Sequence, residues 1–130
     1  MPKITVFLID DDLDDQEIFS FIMADVFAQA DCVFANDGLY ALEKIQDTNF
    51  SPHIIFLDIN MPRMNGILFL QELKKIKRLK NVPIYMYSTS NEGSVVEECK
   101  KLGASGFVKK HINTDVAKQE FQHIIANLKL

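Results

Sequence analysis

Apolar residues fall along this chain in two rhythms that take turns. Short runs rich in Ile, Val and Phe, at 3–9, 31–35, 53–58, 82–87 and 106–109, alternate with stretches whose apolar residues recur every three or four positions, at 14–28, 37–47, 65–78, 92–102 and 114–128. The first rhythm suits strands and the second amphipathic helices. Their alternation, with no internal repeat and no low-complexity tract, predicts βα units on a parallel sheet. Ile54-Ile55-Phe56-Leu57 is apolar on both faces, as a central strand covered by helices on both sides requires. The stops have physical causes. Asn36-Asp37-Gly38 offers an N-cap and tight turn before the second helix, Pro52 and Pro83 interrupt helix ahead of buried strands, and Gly103 follows the fourth helix as a left-handed cap.

In the first helix Ile18, Phe19, Ile22, Met23 and Val26 form one stripe at helical spacing, while Phe21 points away from it and marks a candidate contact surface.

A chain of 130 residues with 48% hydrophobic composition supports one domain with a sizeable core, and no linker or output module is expected. Apolar runs are broken by charge well short of the ~20 residues a membrane span needs, and the first three residues lead straight into a strand. The chain is therefore expected to be soluble, cytoplasmic and free of membrane contact. Cys32 and Cys99 have neither motif spacing nor a secretory context, so they read as idle or buried thiols.

The net charge of −4 is modest but uneven, with Asp10, Asp11, Asp12, Asp14, Asp15 and Glu17 packed into one short stretch. Such a surface repels nucleic acid and attracts cations. The basic group Lys74, Lys75, Lys77, Arg78 and Lys80 reads as a solvated helix end complementing the negative pole of the third helix.

Polar residues stand where the apolar runs give out: Asp10 and Asp11 after the first, Asp58 after the third, Ser88 after the fourth and Lys110 after the fifth. In an open parallel sheet those ends share one edge, where ligands bind. Any one of these acids could simply cap a helix, and Asp12, Asp14 and Asp15 are read as doing only that. Carboxylates brought together at neighbouring strand ends repel unless a cation holds them, and Mg²⁺ fits, because it takes few carboxylates and leaves positions for phosphate oxygens. A carboxylate can also be a nucleophile that forms an acyl phosphate, and Asp58 is the candidate. Lys110 would then neutralise phosphoryl oxygens opposite the metal, and Ser88 would hydrogen-bond one of them.

Over essentially its whole length the chain resembles the receiver domain of two-component response regulators. The resemblance is carried by Ile9-Asp10-Asp11-Asp12, Asp37-Gly38 with Ala41-Leu42, Leu57-Asp58-Ile59-Asn60-Met61-Pro62 with Met64-Asn65-Gly66, Ser88 after Val82-Pro83-Ile84, and Gly103-Ala104-Ser105-Gly106-Phe107-Val108-Lys109-Lys110. It implies an α/β (βα)5 doubly wound, flavodoxin-like fold with strand order 2-1-3-4-5, and Mg²⁺ as cofactor. By position, Asp58 resembles the phosphoacceptor, Asp11 a direct metal ligand, Asp10 a ligand acting through water, and Asn60 the donor of a backbone carbonyl to the metal. Ser88 resembles the switch hydroxyl, Lys110 the family's lysine, and Phe107 the aromatic that turns inward on activation.

The implied function is that of a phosphoacceptor, not an enzyme. It would take its phosphoryl group from a sensor histidine kinase or a histidine phosphotransfer protein and signal to a downstream protein, as a monomer or weak homodimer. The output surface would lie near Val95, Lys100, Lys101, Phe107 and Lys118. Two positions depart from the family pattern. Asn65 replaces the commoner Asp before Gly66, with the same turn chemistry. His111 stands where the family has a cis-joined proline, and the loop is expected to keep a cis Lys110–His111 bond. Three other readings are weaker. An aspartyl Mg²⁺ phosphatase would need a cap domain or substrate pocket, a flavin binder would need hydroxyls or glycines in the first loop, and a non-phosphorylated interaction module normally lacks one of the site residues.

Overall fold

The computed structural model describes residues 3–61, 64–89, 93–110 and 113–128. Five strands, β1 (Ile4–Ile9), β2 (Ala30–Ala35), β3 (Ile54–Leu57), β4 (Ile84–Ser88) and β5 (Gly106–Lys109), alternate with α1 (Leu13–Val26), α2 (Gly38–Gln46), α3 (Gly66–Lys74), α4 (Gly93–Lys101) and α5 (Thr114–Ala126). The strands form one parallel sheet in the order β2-β1-β3-β4-β5. The parallel sheet is what the strand and helix rhythms predict, and the doubly wound, flavodoxin-like strand order is the one the family resemblance implies.

Alternation along each strand divides the core in two. Phe7, Ile9, Ile55, Leu57, Ile84 and Met86 face α2, α3 and α4. Ile4, Val6, Leu8, Ile54, Phe56, Tyr87 and Val108 face α1 and α5. On that second side Phe19, Phe56, Tyr87 and Phe121 pack edge to face, with centroids 5.2–6.4 Å apart.

Four helix starts have a side-chain cap among the described residues. Asp12 accepts from the N–H groups of Asp14 and Asp15, Asp37 from Tyr40, Asn65 from Leu68, and Asn113 from Asp115 and Val116. Gly103 ends α4 at φ 103°, and the carbonyls of Lys100 and Cys99 accept from the N–H groups of Gly103 and Ala104. Both cysteines are free, Cys99 buried and Cys32 half-buried.

Four sequence expectations need correction. The expected first-helix stripe loses Ile18, which is 44% exposed. At about 100° per residue it lies roughly 90° from the centre of the line formed by Phe19, Ile22, Met23 and Val26. The third helix stops at Lys74 instead of running to 78. Ile76 turns extended, and a 3₁₀ turn at Lys77–Leu79 lets Leu79 bury.

That turn also redirects Arg78, which was expected to complement the pole of its own helix. Its guanidinium instead donates to the carbonyls of Ile45, Asp47 and Phe50, satisfying the C-terminal end of α2. Finally, Lys118 was placed on the output surface with Phe107, but it faces α1. It pairs with Asp25 at 2.7 Å and lies over the ring of Phe21, 5.8 Å from its centroid. Phe21 itself is 67% exposed, as its place off the stripe predicts. No described helix is long and apolar enough to cross a membrane.

Candidate functional site at the carboxyl ends of the strands

Backbone pairing aligns the site. The N–H of Asp10 donates to the Ala35 carbonyl, that of Asp58 to Ile9, and that of Lys110 to Ser88, so the ladder continues one residue past each strand. The side chains at those positions stand over the same edge of the sheet. Asp10, Asp58 and Ser88 are the buried polar residues among those described. Gln16 locks the rim, donating through one amide to the Asp10 carbonyl and the Asn36 side chain, both at 2.8 Å.

The ammonium of Lys110 occupies the centre. It lies 2.7 Å from Asp10 Oδ2, 2.8 Å from Asp15 Oδ2 and 3.5 Å from Asp58 Oδ2, with the ring of Tyr87 5.4 Å below it. Asp15 was expected only to complement the start of α1. The structure overturns this, because the first turn of α1 brings its carboxylate against a lysine 95 positions along the chain.

Burial pushes the carboxyl of Asp58 up to about 6, with the charge of Asp10 adding to the shift and Lys110 and the Asn60 backbone N–H opposing it. Burial likewise raises Asp10, again against the pull of Lys110. Burial alone would lower Lys110, but its contacts with Asp10, Asp15 and Asp58 outweigh that and hold it above the ordinary lysine value. Burial also pushes the Tyr87 hydroxyl up to about 12. Burial is thus what raises both acids, and the Lys110 ammonium holds that rise in check.

The donor set suits a hard divalent cation. Carboxylate oxygens of Asp10, Asp11 and Asp58 lie within 4.8 Å of one another, close to the ~4 Å that separates opposite oxygens around Mg²⁺. Asp10 Oδ2 is buried and ion-paired with the Lys110 ammonium at 2.7 Å, with no further partner among the described residues to complete its coordination. A buried anionic oxygen with coordination left over, next to an exposed Asp11 carboxylate, suits an incoming cation.

The other predicted residues surround this cluster. Asn60, two residues after Asp58, is exposed between buried Ile59 and Met61, and its N–H meets the Asp58 carboxylate. Gly66 passes so close beneath this segment that a Cβ there would run into the Asp58 carbonyl and come within 2.8 Å of Ile59 Cα. Phe107 is half-buried, opposite Met86 in the β4–β5 register and packed on the α2–α4 side of the core. The Lys110–His111 bond lies outside the described residues.

Comparison with known proteins agrees with the fold. The model of the response regulator receiver domain family matches residues 6–122. The chain is 39% identical over 84 residues to a protein-glutamate methylesterase/protein-glutamine glutaminase of Treponema denticola, covering 64% of this chain and 22% of that protein. It thus spans about a fifth of the length of such relatives, in which the match is one part of a larger protein. It is 28% identical over 95 residues to the chemotaxis protein CheY1 of Helicobacter pylori, covering 73% of this chain and 76% of that one. Among solved structures, the Mn²⁺-bound form of response regulator Rcp1 superposes with a TM-score of 0.83 at 25% identity, covering 98% of this chain and 96% of that chain.

Proposed function

Since this chain belongs to the response regulator receiver domain family, we propose that it accepts a phosphoryl group on Asp58, with Mg²⁺ in the adjoining acid cluster. The donor would be a sensor histidine kinase or a histidine phosphotransfer protein, and the signal passes to a protein partner through a change of conformation. The observation that carries this is the placement of Asp58. Its nearly buried carboxylate lies 3.5 Å from the Lys110 ammonium and shares a cation-sized cluster with Asp10 and Asp11.

In the proposed step an Asp58 oxygen attacks the phosphorus of a phosphohistidine. The O–P bond forms as the N–P bond breaks, and the departing imidazole nitrogen takes up a proton. Asp11, Asp58 and the Asn60 carbonyl would hold Mg²⁺ directly and Asp10 through water, and the ion would supply positive charge to the phosphoryl oxygens. Lys110 neutralises charge on the other side, already held within reach by Asp10 and Asp15.

Ser88 ends β4 with its hydroxyl at the same edge, and its backbone carbonyl holds the Lys110 N–H at 2.8 Å. Movement of that hydroxyl toward the phosphoryl group would vacate space behind it, which Phe107 on the neighbouring strand is placed to fill. That response regulator Rcp1 has been solved in a Mn²⁺-bound form supports a divalent ion in this reading. No external phosphoester is turned over in this reading.

The test is labelling with acetyl phosphate, and with phosphorylated kinase, in Mg²⁺ and in chelator. One phosphoryl group is expected on the parent in Mg²⁺, and none on Asp58→Asn or in chelator. Equal labelling of the variant would overturn the assignment.

A further inference from the structure

Lys110 poses a problem for the cation site. Its ammonium contacts Asp10 and Asp58, two of the three carboxylates that form the cluster, so lysine and metal compete for the same oxygens. The third contact, Asp15, lies outside the cluster and offers the ammonium a hydrogen bond at 2.8 Å. We propose that Asp15 is a positioning residue, which holds the Lys110 ammonium at the rim of the acid cluster and so keeps Asp10 and Asp58 available to a divalent cation.

The geometry is specific to this residue. Asp12 accepts from the N–H of Asp15 and fixes the first turn of α1, so the Asp15 side chain is carried inward, half-buried, while Asp14 beside it stays exposed. The Lys110 side chain, 9% exposed, lies above the Tyr87 ring. An ammonium has three N–H donors, and one is spent on Asp15. Without that acceptor the remaining attraction points only at Asp10 and Asp58, and the lysine becomes a tethered monovalent cation seated where Mg²⁺ must enter. The pull also works the other way. When metal takes Asp10 and Asp58, Asp15 still pairs the displaced ammonium, so Lys110 stays neutralised and aimed.

This inference rests on the cation reading above, and titration of the folded protein with Mg²⁺ by calorimetry, with Mn²⁺ resonance as a second readout, separates the two. The parent should bind one Mg²⁺. Asp15→Asn should weaken binding roughly fivefold or more, as coupled neighbouring charges do. Asp14→Asn removes the same charge one residue away without touching Lys110, and should change affinity far less. Asp15→Glu should restore part of the loss. In a Lys110→Ala background, Asp15→Asn should weaken binding no more than Asp14→Asn does, since no ammonium is left to hold. Circular dichroism of each variant confirms that it is folded. Equal losses in Asp14→Asn and Asp15→Asn, or an undiminished Asp15→Asn effect without Lys110, would leave only a general field of negative charge and overturn the positioning role. A parent that binds no Mg²⁺ overturns the cation reading, and this inference falls with it.

Discussion

At Asp58 the fold works against a carboxylate's own preference for water. The group is 6% exposed and sits near a second buried acid, which is why its pKa climbs to about 6 from an ordinary 3.8. A carboxyl raised in the folded state stabilises the fold fully below about pH 4 and loses that contribution as the pH rises through 6. In chelator near pH 7, Asp58→Asn should therefore be more stable than the parent by roughly 1–3 kcal/mol, and the gap should shrink as the pH falls toward 4. Thermal melts across that range check it, and a gap that widens on acidification would contradict the account.

Lys110 and Ser88 should divide the event between them. Lys110→Ala removes the positive charge beside Asp58 and should slow phosphorylation by about a hundredfold or more, the scale of losing one oxyanion donor. Ser88→Ala should still take up the phosphoryl group or beryllofluoride but leave Phe107 where it is. Side-chain NMR of Phe107 in the beryllofluoride complex reads this directly.

Among the elements, the β3–α3 connection carries the tightest constraint. Gly66 donates its N–H to the Ile59 carbonyl at 2.8 Å and has no room for a Cβ against the Asp58 backbone. Gly66→Ala should cost about 1–3 kcal/mol and weaken Mg²⁺ binding together with stability, because relief of the clash displaces the loop bearing Asp58. Melting and metal titration of that variant check both effects.

Elements were legible in the sequence where local chemistry decided them. β3 announced itself by four apolar residues in a row, and the caps at Asp37 and Gly103 stand where their residue types suggested. Ile18 was misassigned against helical periodicity itself, whereas Arg78, Lys118 and Asp15 are placed by tertiary contacts. Arg78 lies in a basic run that any solvated helix end could carry, and only the packed fold shows it reaching α2. Lys118 has two helix faces open to it in sequence, and the Asp25 carboxylate on α1 decides between them. Asp10, Asp11, Asp58, Ser88 and Lys110 were found because each follows an apolar run. Asp15 follows none, and an acid in a first helical turn already has a sufficient local reason to be there, so its contact with Lys110 left no signal.

Across the whole molecule, the two sides of the sheet divide the work of holding the site. The α1–α5 side is aromatic, with Phe121 packed edge-on against Phe19, Phe56 and Tyr87. It therefore fixes α1, and with it Asp12 and Asp15, relative to the strand that carries Tyr87 and Ser88. Phe121→Ala should cost roughly 3–5 kcal/mol, and denaturant titration will measure it. The α2–α4 side includes half-buried members such as Phe107, Val95 and Met64 around its core.

All of this depends on where the phosphoryl group goes. Borohydride reduces an aspartyl phosphate to homoserine, so reducing the acetyl phosphate-treated protein and sequencing its peptides by mass spectrometry reads the modified position without relying on a variant. The account predicts homoserine at position 58 alone, in the sample treated with Mg²⁺ and not in the one treated with chelator. Homoserine at Asp10 or Asp11, or at 58 to the same extent without metal, would contradict it.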